Sequence, residues 1–315
     1  MILILSEKGD ISTNKVIEWL EYFNVCYLRI NTETNIDLIY RIIIDNSEIN
    51  IYIYLENDNY NLKDFSCIWN RRGDFRFTIP HVNDIRLNKT DIKNEVIKRI
   101  KQEYSSLLNF VYYEMSKLPH INDPRSYNIN KLIVLSQAKD IGFNVPDTLI
   151  VKNSKFLINK NLYITKNIQD IVQFASENEA VIQYTTRVSK KDIKCAFGMS
   201  LFQNEINIKF EIRSFVFLEK IYSVAYLLNA NTPKRIRDSR MTVENYVNYK
   251  LPREIEIKIF RLMRRLKVNS GSVDIIYDGS KYFFLEINPV GQFDFVSYCG
   301  NYQIEKEIAL QLKKY

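Results

Sequence analysis

Two apolar stretches near the end of the chain, Gly271-Ser-Val-Asp-Ile-Ile276 and Phe283-Phe-Leu-Glu-Ile-Asn-Pro289, constrain the fold more than any other segment. Both read as strands, and the Asp278-Gly279 pair between them is a turn signal, so together they predict an antiparallel hairpin. Asp274, Glu286 and Asn288 interrupt these otherwise apolar runs. Burying carboxylates is costly unless something cationic compensates, so three oxygen donors here point to a bound cation. Magnesium suits them, because it takes hard oxygen ligands from one or two carboxylates and completes its shell with water and nucleotide phosphates. Glu286 and Asn288 are two positions apart and share a strand face. For Asp274 to join them the loop must have odd length. The sequence therefore predicts a three-residue loop, Asp278 to Ser280, with Gly279 or Ser280 left-handed, pairing Tyr277 with Lys281 and Asp274 with Phe284. The plain alternative, strand-end polar residues with capping or turn duties, fits any one of the three better than all three together.

The rest of the composition removes competing chemistries. Only 8 of 315 residues are glycine, against an average of about 7%. Neither G-x-G-x-x-G nor G-x-x-x-x-G-K-[ST] occurs, so dinucleotide-fold and P-loop chemistry lose their support. Cys26, Cys67, Cys195 and Cys299 show no C-x-x-C spacing and read as thiols of a reducing compartment. The only two histidines, His81 and His120, each adjoin a proline, which leaves no credible Cys-His or Ser-His pair. The apolar start Met1-Ile-Leu-Ile-Leu5 is too short for a signal peptide and no run is long enough to span a membrane, so a cytoplasmic location is expected. A net charge of +7 favours acidic partners without choosing among nucleic acid, nucleotides and acidic peptide.

Length predicts two or three units at roughly 150 residues per domain. Strand Ile2-Leu5, a helix from Ser12 to Phe23 with Val16, Trp19, Leu20 and Phe23 on one face, and strand Val25-Ile30 make a β-α-β unit. Strands at Ile49-Leu55 and Cys67-Asn70 and a helix from Lys89 to Met115, with Val96, Ile100, Leu107, Leu108 and Val111 facing inward, complete an N-terminal α/β domain over 1–118. A middle subdomain over 119–200 should hold a helix from Asn130 to Ile141 closed by Gly142, strand Leu162-Thr165, a helix over Ile168-Ser176 and strand Ala180-Thr185. An antiparallel-sheet subdomain over 201–315 should hold long strands about a Glu219-Lys220 turn, a helix from Lys250 to Lys267 and the acidic hairpin. The class is α/β, in the looser α+β sense.

Val273-Asp-Ile275 followed by Leu285-Glu-Ile-Asn-Pro289 resembles the metal-binding end of ATP-grasp ligases. The run Phe284 to Phe293, with Cys299-Gly-Asn-Tyr302 downstream, is similar to peptide maturases of grasp-with-spasm systems, the graspetide synthetases related to microviridin ligases. The resemblance extends with gaps from Met1 through Trp69-Asn-Arg-Arg72 to the last helix. It implies ATP-grasp architecture and roles for individual residues. Asp274, Glu286 and Asn288 would be the metal ligands. Lys131 and Lys166 would grip phosphates, although a lone lysine among 44 basic residues is more often a solvated surface group. Ser200-Leu-Phe-Gln203 matches the adenine-binding hinge, so Gln203, Asn204, Glu205 and Ile206 would line the purine, the last three through their backbone. Lys209, Glu211 and Arg213 match a K-x-E-[IL]-R strand whose alternation puts them on one face toward ribose, phosphate or acyl phosphate; an ordinary half-exposed sheet face is the alternative. Arg213 and Arg240 would be catalytic, Arg240 standing in Asp238-Ser-Arg240 where the family has an aromatic before arginine. Asn167-Ile-Gln169 replaces the glycine-rich loop common after the second lysine.

The resemblance further implies ATP and Mg²⁺ as cofactors and a ribosomal precursor peptide, leader plus acidic core, as partner. Neither nucleic acid nor membrane is expected, and a homodimer is compatible with the reading. The activity implied is phosphorylation of Asp or Glu side chains of that peptide, followed by ester or amide macrocycle closure by Thr, Ser or Lys. Two other readings stand beside it: an ATP-grasp ligase joining an amino acid or amine to another carboxylate, and a non-catalytic nucleic-acid binder stacking bases on some of its 21 tyrosines.

Overall fold

The computed structural model describes residues 1–80, 90–125, 129–157, 162–168, 173–175, 180–182, 185–227 and 246–315. Its contacts form two compact units. One comprises Met1–Asn128, Lys267–Ser270 and Gln303–Tyr315, the other Ile129–Leu266 and Gly271–Tyr302. These bounds differ from breaks at residues 118 and 200, because the C-terminal helix returns to the first unit and both later subdomains fall in the second.

In the first unit, β1 (Ile2–Ser6), α1 (Ile11–Tyr22) and β2 (Tyr27–Asn31) form the expected β-α-β element. A meander follows, β3 (Ile39–Ile44), β4 (Ile49–Leu55) and β5 (Asp58–Asn61), then β6 (Cys67–Asn70), α2 (Thr90–Met115) and β7 (His120–Ile121). The order β2-β1-β6-β7 is parallel throughout, and all five residues of β1 are buried, as the continuous apolar run of a parallel strand requires. Val16 and Leu20 face the core, but Trp19 and Phe23 do not. They stack at 5.6 Å and are capped by Lys306 and Lys313 of the C-terminal helix at 4.8 and 5.2 Å. On α2 only the last turn, Val111, Tyr112 and Met115, is buried, while Val96 and Ile100 stay half-exposed. Arg71 Nε meets Asp10 Oδ2 at 3.0 Å with both side chains almost fully buried, pinning the exit of β6 to the start of α1. His120 places Nδ1 2.8 Å from Leu118 O, a turn role, and His81 lies outside the described residues.

The second unit opens with α3 (Lys131–Ile141), capped by the Asn130 side chain accepting from Leu132 N and Ile133 N and stopped by Gly142 at φ 91°. An antiparallel sheet in the order β12-β9-β13-β8 contains β8 (Thr148–Asn153), β9 (Leu162–Lys166), β12 (Thr186–Ser189) and β13 (Ala196–Asn204). Between them β10 (Gln173–Ala175) pairs with β11 (Ala180–Ile182). The helix expected over Ile168-Ser176 is therefore corrected where the chain is described: Gln-Phe-Ala is extended and hydrogen-bonded to a partner strand. The second sheet, β16-β15-β14-β17-β18, comprises β14 (Phe210–Phe217), β15 (Lys220–Leu227), β16 (Tyr246–Asn248), β17 (Ser270–Tyr277) and β18 (Tyr282–Asn288). The β14-β15 turn is Leu218-Glu219 rather than Glu219-Lys220, with Leu218 left-handed. Helix α4 (Arg253–Leu266) starts later than expected, since Pro252 keeps Leu251 out of helical conformation. Helices α5 (Asp294–Gly300) and α6 (Ile304–Leu312) end the chain, α6 belonging to the first unit.

Candidate active site

The acidic hairpin solves its parity problem differently from the expected three-residue loop. Tyr277 pairs with Tyr282, so the loop is Asp278 to Lys281, an even length. The Asp278 side chain holds it closed by accepting from Ser280 N and Lys281 N at 2.7 Å each, and Gly279 takes the left-handed position at φ 107°. Ile275 pairs with Phe284, but Asp274 pairs with Glu286, leaving Leu285 as an extra residue on β18. That bulge changes which side chains share a face. Strict alternation would send Phe284 and Glu286 to the same side. With Leu285 inserted, Phe284 is fully buried opposite Ile275 while Glu286 stands directly across from Asp274 on the other face. Ser272 pairs with Asn288, so Asn288 follows on that face. The exit of β18 lies against β17 only because residue 271 is glycine, since a Cβ there would sit 2.7 Å from Asn288 O.

Three cations converge on this pair of carboxylates. Lys166, at the end of β9, places Nζ 3.6 Å from Glu286 Oε2. Lys131, the first residue of α3, reaches the same oxygen at 3.8 Å. Helix α3 is seated on β18 by Phe143 against Phe284, with ring centroids 5.3 Å apart, and by Phe284 N donating to Asn144 O at 2.9 Å. Arg213 on β14 places Nε 3.6 Å from Asp274 Oδ1 across neighbouring strands. Burial pushes the Glu286 carboxyl up, but Lys166, Lys131 and Arg213 outweigh it and hold the group below its ordinary value of 4.5. The residue row Lys209, Glu211, Arg213 keeps its alternation, Lys209 lying just before β14 with its N–H donated to Tyr277 O.

The donor set fits a divalent cation of magnesium type. Two carboxylates face each other, Asn288 adds an amide oxygen, and among the described residues no group of three or more His, Cys, Asp or Glu offers a rival metal site. Asn288 Oδ1 also accepts from Val290 N at 3.1 Å and Gly291 N at 3.3 Å, which orients it after the strand. One buried donor here has no hydrogen-bond acceptor, Arg213 Nε, whose carboxylate neighbour is beyond bonding distance. Such an orphaned donor suits an oxygen-rich anion.

The segment expected to line the purine begins at the end of β13 (Ala196–Asn204). Gln203 is buried and donates from Nε2 to Thr148 Oγ1 at 3.0 Å, and Asn204 N donates to Asp147 O at 3.0 Å, with the Asn204 amide on the Asp147 carboxylate. Glu205 Oε2 is held 2.8 Å from Arg187 NH2 of β12. Arg187 carried no signal in sequence, because its partner is set by strand pairing alone. Arg240 lies outside the described residues.

No family model matches the chain, and none of the curated proteins does. Solved structures do. Over 100% of both chains it is similar, at 20% identity and TM-score 0.73, to macrocyclase MdnC of Microcystis aeruginosa MRC bound with precursor peptide MdnA. It matches a RiPP-associated ATP-grasp ligase of Chryseobacterium gregarium, in complex with ADP and a leader and core peptide, at 19% identity and TM-score 0.76 over 99% of this chain and 96% of that one. The chain has the ATP-grasp fold. A further ATP-grasp structure, the ligase PsnB with minimal precursor, agrees at 16% identity and TM-score 0.71 over 99% and 97% of the two chains. Within this ATP-grasp chain the acidic hairpin, the two lysines and Arg213 all belong to the second unit, so the site needs no residue of the first to bring its charges together.

Proposed function

We propose that this chain is an ATP-dependent ligase that phosphorylates Asp or Glu side chains of a ribosomal precursor peptide and closes ester or amide macrocycles with Thr, Ser or Lys. The observation that carries the reading is the meeting of Lys131, Lys166 and Arg213 at the Asp274-Glu286 pair, built on an ATP-grasp fold. The fold's solved representatives include ligases bound to ADP, Mg and precursor peptide, which supports the same ligand classes here.

In this reading the peptide carboxylate attacks the γ-phosphorus and ADP leaves, giving an acyl phosphate. A hydroxyl or amine of the same peptide then attacks the acyl carbon, phosphate departs, and the nucleophile gives up its proton. The chain supplies position and charge rather than a nucleophile. Lys131 and Lys166 bind phosphate oxygens. Arg213, with an unused buried Nε–H, orients the peptide carboxylate or its phosphate. Gln203 is too buried and too bound to Thr148 to read the purine, so it braces the hinge. Asn204 offers its carbonyl, Glu205 and Ile206 their backbone, and Lys209 and Glu211 line the ribose side; Arg240 keeps the catalytic role that the resemblance implies. Asp274, Glu286 and Asn288 would hold magnesium, which would neutralise phosphate charge when bound. We place the leader on residues 150–200 and the reaction in the cytoplasm.

The test is ATP turnover with magnesium, with and without an acidic peptide carrying its leader. Peptide-stimulated turnover that falls when the leader is removed supports the reading. Turnover unaffected by peptide, or binding of nucleic acid with no turnover, rejects it, and stimulation by a free amino acid or small amine favours the other ligase reading.

A further inference from the structure

Glu286 faces two demands that cannot be met together. As a metal ligand it must offer its oxygens to a divalent cation, yet Oε2 already has the ammonium groups of Lys166 and Lys131 at 3.6 and 3.8 Å. A divalent cation placed on that oxygen would stand beside two positive charges in a partly shielded pocket, where the lysine side chains are 16% and 24% exposed. Like charges so close repel strongly at reduced dielectric. Lysine is a flexible point charge with rotatable donors, so the same two groups can turn to a phosphate chain. Arg213 Nε, buried without a hydrogen-bond acceptor, marks where such an anion would be received.

We propose that Lys131 and Lys166 act as a gate on Glu286, closed to metal in the nucleotide-free protein and opened when phosphates draw the ammonium groups away. The inference rests on the ligase reading and adds to it a binding order: metal alone binds weakly, and nucleotide and metal raise each other's affinity by one common factor. Linkage makes that factor reciprocal, and coupling of this kind is typically about 5- to 150-fold. Removing a phosphate-binding lysine should tighten metal binding to the empty protein, because it removes the competitor for Glu286.

The experiment titrates the full chain with Mn²⁺ alone, following free Mn²⁺ by electron paramagnetic resonance, for wild type, Lys131→Met, Lys166→Met, the charge-retaining Lys131→Arg, and Lys166→Met combined with Glu286→Gln. Native far-ultraviolet dichroism is required of each variant, and Lys131→Gln or Lys166→Gln replaces the corresponding Met variant if it fails. Supporting results are Mn²⁺ affinity raised about fivefold or more by either Met variant, unchanged by Lys131→Arg, and returned to the wild-type level or below by the Glu286→Gln combination. Unchanged or weakened Mn²⁺ binding in both Met variants overturns the gate. ATP binding to the wild type is measured in parallel with magnesium present. If ATP binds normally while the Met variants leave Mn²⁺ affinity unmoved, the gate alone is wrong; if ATP does not bind, the ligase reading is wrong.

Discussion

Replacing Glu286 by Gln should make the ligand-free protein less stable, which is not the usual outcome at an active site. Site residues are commonly strained or electrostatically unfavourable, so their removal often stabilises. Here the carboxylate is the counter-ion of three cations. At 3.6 and 3.8 Å each lysine contact is worth about 4 kcal/mol of gross attraction at an effective dielectric near 20. Desolvation opposes this, and the side chains are 16 to 35% exposed. The net therefore falls between an exposed pair, at about 0 to 1 kcal/mol, and a broken buried pair, at about 3 to 5 kcal/mol, which places Glu286→Gln near 1 to 3 kcal/mol of lost stability. The assay is urea unfolding of both proteins without nucleotide or metal across a pH series. Because the folded value of the Glu286 carboxyl is lowered, its stabilisation is fully present above the ordinary value of 4.5 and is lost as pH falls through the folded value. The gap between the two proteins should thus be constant near neutrality and close in acid. A Glu286→Gln protein more stable than wild type at neutral pH, or a gap that widens as pH falls, would refute the electrostatic reasoning.

Other substitutions probe separate parts of the account. Lys131→Met and Lys166→Met should each raise the apparent ATP requirement about 10- to 100-fold, the worth of a charge-assisted contact of about 1.5 to 3 kcal/mol, read from initial rates against ATP concentration; unchanged requirements in both would remove the lysines from the site. Arg187→Ala breaks the pair with Glu205, whose side chains are 37% and 20% exposed, so KM for ATP should rise up to about fivefold with kcat unchanged; a fall in kcat alone would contradict a positioning role. Arg71→Leu removes the ion-pair partner of buried Asp10, leaving it only the Thr13 hydroxyl and the field of Arg29, and should cost about 3 to 5 kcal/mol in chemical denaturation, whereas a loss under 1 kcal/mol would show that the pair is replaceable.

Much of this was legible in the residues, and the misses have physical causes. Period and the Gly142 stop located α3 to within a residue, Asn130 proving to be the cap rather than the first helical residue. The three site oxygens of the hairpin were legible as polar interruptions of apolar strands, and their common face was inferred correctly by a wrong route. A bulge at Leu285 leaves no mark in a sequence, since it is decided by Phe284 needing the core while Glu286 needs the opposite face. The segment Ile168-Ser176 has helical spacing, and only pairing with a strand nearby in the chain makes Gln173–Ala175 extended. Trp19 and Phe23 follow the helical stripe of Val16 and Leu20, yet they are covered by lysines from a helix nearly 300 residues away. Contacts of that range are set by the whole fold.

The most direct measurement is the mass of an acidic precursor peptide carrying a leader and Thr, Ser or Lys residues, after incubation with the protein, ATP and magnesium. The account predicts loss of one water per ring closed, one ATP converted to ADP per ring, and neither change with an Asp274→Asn/Glu286→Gln double variant. Turnover of ATP with the peptide mass unchanged, or full activity in the double variant, would contradict it.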